Sequence, residues 1–152
     1  MLSGAITSEN LASIGSDFWA SMLALPISPV ANLPAVQSDE EGILGRIEIR
    51  GAWTGVVEVR ASRGLARATA AALLDKLPTD VTVEECFDAT QEATNIVAGS
   101  IKRLLPSICK MAIPAMSGCS SLSSTPQFPA LLTVFFVSPC GQLAITVGNR
   151  EG

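Results

Sequence analysis

TVEECFDATQEATNIVAGSIKRLL, residues 82–105, is the segment on which the reading of this chain turns. Thr82 and Glu85 stand at capping-box spacing, a hydroxyl facing forward and a carboxylate returning to the cap, so a helix begins here. Pro106 stops it near Leu105, because a proline ring excludes the preceding turn. At about 100° per residue, Cys86, Thr90, Ala93, Val97, Ile101 and Leu104 fall in one stripe, the expected core face. Asp88, Glu92, Asn95, Gly99 and Lys102 fall on the opposite stripe and should meet solvent or a partner. Two of these are odd choices for a merely solvated face. Asn95 and Gly99 are poor helix formers, glycine costing ~1 kcal/mol against alanine, where Glu, Lys or Ala would serve solubility better. A missing Cβ at Gly99 would let another backbone approach within one turn of Asn95.

Working outward, residues 62–77 read as an Ala-rich helix capped by Ser62 and closed by Pro78. Before it, residues 43–50 alternate through Ile47 and Ile49, and residues 53–60 through Val57 and Val59, which predicts a hairpin turning at Gly51. Gly45 and Gly55 inside these strands imply a bulge or a close backbone approach. The chain opens with a predicted helix from Glu9 to Leu25, capped by Ser8, with Leu11, Ile14, Phe18, Met22 and Leu25 on one side. Pro26 ends it, Pro29 and Pro34 keep the next stretch extended, and residues 37–42 form a polar turn. After the long helix come a strand over 108–115, a serine-rich flexible loop over 117–126, and a closing hairpin of 130–137 and 142–147. Segregated antiparallel strands and helices predict an α+β fold, one domain over residues 1–152 with helices packed on a face of one sheet.

Composition narrows the function. Of 152 residues, 48% are hydrophobic and 16% charged, and the mean hydropathy is +0.42, which excludes disorder. Fourteen acidic against ten basic residues give a net charge of −4, which argues against nucleic-acid or anionic-membrane partners. There is no histidine, so Ser-His-Asp triads, Cys-His dyads and His-ligated metals are excluded within this chain. The longest apolar run, residues 130–137, is far short of the ~20 residues that span a bilayer, and the first residues lack a signal-peptide pattern. The four cysteines, at 86, 109, 119 and 140, form no CxxC pair. A reduced, cytoplasmic protein using them as small hydrophobes is expected. Cys109 has no base to activate it. Trp19 and Trp53 read as core or interface anchors, and Asp39, Glu40 and Glu41 as a solvated loop. Residues 130–137 are apolar on both faces, so they should lie inside a sheet or across a two-fold interface.

The run Glu92-Ala93-Thr94-Asn95, with Gly99 one turn on, resembles the ExxN…G helix of the CheX/CheC-type chemotaxis phosphatases, which dephosphorylate the response regulator CheY. Asp88 fits the family's Asp or Ser four residues before the Glu, and Pro114, in MAIPAM (111–116), is the candidate for its proline on the following strand. The order of elements resembles the single-module CheX layout over most of the chain, with one site helix where CheC-type members carry two. The resemblance implies an aspartyl-phosphate phosphatase in which Asn95 positions the attacking water and Glu92 pairs with the receiver's lysine. A carboxamide suits that role because it both accepts from and donates to one water. Asp88, Gly99, Lys102 and Pro114 are then the partner-binding residues. The resemblance also implies that the nucleophilic aspartate and the Mg²⁺ belong to the phosphorylated CheY-type receiver, with no cofactor in this chain, and that the chain is a homodimer. Arg60, Arg63 and Arg67 could form a small basic patch, solvated or docking an acidic receiver. The alternative is a non-catalytic binding or dimerisation module, similar in architecture to the flagellar switch proteins.

Overall fold

In the computed structural model, residues 6–33, 41–51, 53–105, 108–123 and 125–150 are described. Pro34, residues 37–40 and Pro106 lie outside them, and with them most of the expected polar turn and the expected helix stop.

The period-two alternation folds as anticipated. After the three-residue strand β1 (Ser28–Val30), strands β2 (Gly42–Arg50) and β3 (Gly55–Ser62) form an antiparallel hairpin with Ile47 opposite Val57 and Gly45 opposite Val59. Short strands β4 (Lys110–Met111) and β5 (Ala115–Cys119) both pair with the outer side of β2, and β6 (Ala130–Ser138) and β7 (Gly141–Asn149) form the closing hairpin. The sheet runs β1-β6-β7-β3-β2, then β4 and β5. β6 is therefore flanked by β1 and β7, which accounts for its apolar character within the chain itself. Side chains at alternate positions make one apolar face: Ile43, Ile47 and Ile49 of β2, Val57, Val59 and Ala61 of β3, and Leu143, Ile145 and Val147 of β7 are all buried.

Three helices cover that face. α1 (Ser8–Ser16) packs on β6, where Gly15 lies against the Phe136 ring. α2 (Arg63–Leu74) begins at the Ser62 cap, whose hydroxyl accepts from Leu65 N at 3.4 Å. α3 (Val83–Lys102) lies beside α2 across β2 and β3. The expected core stripe of α3 is buried at Cys86, Thr90, Ala93, Val97 and Ile101.

Several expectations are corrected. The first helix is capped by Thr7 rather than Ser8, because Thr7 and Asn10 form the reciprocal cap. Its second half, Asp17–Met22, is a π-helix, and the wider turn brings the adjacent Phe18 and Trp19 into the core together, their rings T-shaped at 4.7 Å. α2 stops at Leu74, not Leu77, because Asp75 adopts a left-handed conformation with φ 54°. The strand expected over 108–115 is broken into β4 and β5, with Pro114 in the gap, since a proline cannot donate to a ladder. The loop expected over 117–126 begins as β5, because residues 115–119 find a hydrogen-bonding edge on Gly42–Arg46. β1 was not anticipated; its Pro29 fits an edge strand. Gly45 and Gly55 mark close approaches and not bulges, since the β2–β3 register is unbroken.

At Gly45 the Thr94 side chain of α3 presses directly on the backbone of β2. A Cβ there would collide with Thr94 Oγ1 and sit 3.0 Å from the Thr94 Cβ. Gly45→Ala should destabilise the protein by about 2 kcal/mol through overpacking. Thr94→Ala should recover part of that loss in a double-mutant cycle measured by urea denaturation, because it removes the hydroxyl that the new methyl strikes.

Candidate functional site

α3 is fixed at its start by the predicted capping box: Glu85 N donates to Thr82 Oγ1 at 3.1 Å and Thr82 N to Glu85 Oε1 at 3.0 Å. Lys76, in the α2–α3 connection, places Nζ 2.7 Å from Glu85 Oε2. The Lys76 ammonium and the Thr82 N–H hold the Glu85 carboxyl below its ordinary value of 4.5. Along the helix, the buried hydroxyls of Thr90 and Thr94 donate to the carbonyls of Cys86 and Thr90 at 2.9 and 2.7 Å, so neither is left unsatisfied.

Thr94 points at Gly45, and that contact orients everything else on the helix. Asn95 follows about 100° round, on the flank away from α2, and Glu92 lies about 60° further, on the outward crest. Asp88 and Glu92 are exposed, and Asn95, Gly99 and Lys102 are half-buried. The structure thus brings these five residues together on one stripe. Asp88, Glu92 and Asn95 make no side-chain hydrogen bond or ion pair with any other described residue. A Cβ at Gly99 would meet no atom within 4 Å, so nothing in the described packing requires glycine there. Pro114 stands apart from the stripe, in the gap between β4 and β5. It precedes Ala115 and Met116, which pair with Arg46 and Gly45 of β2, the strand beneath Thr94.

Other candidates resolve structurally. Trp19 is buried and donates from Nε1 to Thr69 Oγ1 at 3.0 Å, and Trp53 donates to Asn149 Oδ1 at 3.1 Å, so both are anchors. The basic patch does not form. Arg60 is buried on the opposite sheet face, 2.8 Å from Glu58, while Arg63 pairs with Glu41 at 3.4 Å and Arg67 donates to the carbonyls of Pro78 and Val81. Burial pushes the Cys86 and Cys119 thiols up, away from the thiolate form, and Cys109 is buried. Among the described residues no group of three or more Cys, Asp or Glu could hold a metal ion, and no helix is long and apolar enough to cross a membrane. Sequence reasoning missed the groove that α2 and α3 form beside Glu92, floored by Leu73, Leu74 and Ile96. Its signal was two adjacent leucines ending a helix whose core side is mostly alanine.

Residues 43–128, more than half the chain and including the whole of α3, match the model of the CheX chemotaxis phosphatases. The chain belongs to the CheX family. Solved structures share the fold over nearly the full length. The chemotaxis protein CheX from Vibrio vulnificus superposes with a TM-score of 0.75 at 22% identity, covering 97% of this chain and 99% of that one. CheX from Borrelia burgdorferi, in a CheX-CheY-BeF3-Mg complex, gives 0.65 at 18% identity over 94% and 97%. FliY from Thermotoga maritima gives 0.59 at 18% identity over 95% and 91%. No curated protein matches the sequence.

The capping box gives the site helix a measurable pH signature. Because the folded Glu85 carboxyl titrates below 4.5, its contribution is complete above that pH and is lost as pH falls through the lowered value. The stability gap between the parent protein and Glu85→Gln should therefore be present at neutral pH and close on acidification, followed by urea denaturation across pH. Thr82→Ala should cost about 1 kcal/mol in the same assay.

Proposed function

We propose that this chain accelerates hydrolysis of the aspartyl phosphate on a CheY-type receiver, with Asn95 positioning the attacking water and Glu92 pairing with the receiver's active-site lysine. The observation that carries the reading is the stripe itself: polar groups without side-chain partners among the described residues, on a helix whose core side is seated in the fold. Family membership and the CheX–CheY complex among the structural relatives support the same partner.

The chemistry asks little of this chain. Water attacks phosphorus in line, the bond from phosphorus to the aspartyl oxygen breaks, and the receiver recovers its carboxylate as inorganic phosphate leaves. The phosphorylated aspartate and the Mg²⁺ belong to the receiver. Asn95 accepts a hydrogen bond from the water through its amide oxygen and donates one to the water's oxygen through its NH2, holding a lone pair toward phosphorus. Glu92, three residues earlier, emerges beside it and makes a charge-assisted contact that sets register. Gly99 leaves room one turn on for the receiver's backbone, with Asp88, Lys102 and Pro114 around the contact. The reaction takes place in the cytoplasm with the receiver, and the chain acts as a homodimer with outward-facing sites.

Asn95→Ala should stay folded, with stability within ~0.5 kcal/mol of the parent, and should lose at least about 100-fold in the stimulated dephosphorylation rate. A folded variant with full activity would overturn the assignment of Asn95; a parent protein that binds the phosphorylated receiver without accelerating its decay would leave a non-catalytic binding module as the reading. Glu92→Ala should weaken binding of a beryllofluoride-loaded receiver in titration. Gly99→Ala should raise stability by about 0.5–1 kcal/mol while weakening that binding, a combination that a purely structural glycine does not give. Light scattering at micromolar concentration should give twice the 15.8 kDa chain mass; a monomer refutes the dimer.

A further inference from the structure

The exposed stripe continues sideways into a cavity of about 480 Å³ between the end of α2 and the outer side of α3. Its floor is apolar, made by Leu73, Leu74 and Ile96, and its rim carries three carboxylates, Glu85, Asp88 and Glu92. Leu73 and Leu74 are 39% and 46% exposed, an unfavourable arrangement for a free surface, since leucine gains most when fully removed from water. The groove is built rather than incidental. Asp75 takes a left-handed φ of 54° to end α2 there, Lys76 N returns to Ala71 O at 3.0 Å, and the Lys76–Glu85 pair ties the connection to α3.

The charges identify the occupant. Glu85 is neutralised by Lys76, whereas Asp88 and Glu92 have no cationic partner among the described residues. An apolar floor under two uncompensated carboxylates suits an apolar side chain flanked by lysine or arginine, and disfavours an acidic segment. Glu92 and Asp88 line both this groove and the proposed catalytic stripe, so one partner can cover both. We propose that the Leu73–Leu74–Ile96 groove is a second anchor for the phosphorylated receiver, seating an apolar side chain of the receiver that has a basic residue beside it. The proposal rests on the Glu92/Asn95 reading and adds the determinant that selects which receiver is served. The groove supplies affinity equally to the bound and reacting states, and Asn95 acts only in the reaction.

The test is steady-state dephosphorylation of a CheY-type receiver charged with acetyl phosphate, comparing the parent, Leu74→Gln and Asn95→Ala. Leu74 is half-exposed, so the variant should fold normally by circular dichroism; Leu73→Gln is the second variant should it not. The expected result is a KM raised about tenfold with kcat unchanged for Leu74→Gln, against a collapse of kcat for Asn95→Ala. Unchanged KM in an active protein overturns the groove and leaves the phosphatase reading standing. A fall in kcat with KM unchanged also overturns it. A parent protein that binds the beryllofluoride-loaded receiver without accelerating decay of the phosphorylated receiver defeats the catalytic reading alone, and Leu74→Gln must then lose about tenfold in affinity or the groove falls too. A parent that neither binds nor accelerates overturns both. If Leu74→Gln instead dissociates the protein in light scattering, a second copy covers the groove and the proposal fails.

Discussion

The seat of α3 on the sheet depends on one missing side chain. At Gly45 the backbone of β2 is bare, and the Thr94 side chain occupies the space that a Cβ would take. Together with the buried stripe of Cys86, Thr90, Ala93, Val97 and Ile101, this contact sets the rotation of the helix about its own axis. Once Thr94 points inward, helical geometry sends Asn95 to one flank and Glu92 to the crest. The site is therefore held by packing from beneath, not by contacts among its own side chains, and its polar groups stay available for a partner.

Polar chemistry is managed differently on the two faces of the sheet. On the helical face, buried hydroxyls are satisfied locally: Thr69, Thr90 and Thr94 each donate to the carbonyl four residues earlier. Thr69 also accepts the Trp19 indole, which ties the π-helical turn after α1 to α2. On the other face, Glu58 and Arg60 form a buried ion pair, and Arg60 also reaches Ser121 O at 3.4 Å. Phe128 covers part of this face, with Arg46 stacked 5.2 Å from its ring centre. Removing Arg60 would strand the buried Glu58 charge, a larger loss than the pair's own net worth.

Local signals were readable where a short-range rule had no competitor. The Thr82–Glu85 box, the Ser62 cap and the two hairpins depend on neighbours within a few residues or on a period of two, and all four stand in the structure. The misreadings share a different cause. A Ser8 cap lost to Thr7 because Asn10 reciprocates, and the first residues of a serine-rich loop joined β5 because β2 offered an unpaired edge. Arg60 left the predicted basic patch because strand alternation turned it to the far face, where Glu58 was waiting. A reciprocal bond, a strand edge distant in sequence and the alternation of a strand were the respective causes, and each outweighed composition.

By itself the sequence determined the α+β class, the long capped helix and the stripe on which Asp88, Glu92, Asn95 and Gly99 stand together, because helical periodicity and capping are local properties of the chain. It also excluded histidine chemistry outright. Only the tertiary structure decided that Gly45 is the seat of Thr94, that Pro114 falls in a gap beside β2, and that the end of α2 leaves Leu73 and Leu74 open next to Glu92. Those facts depend on which surfaces meet across tens of residues. A periodic pattern says which face of an element is buried, and it does not say against what.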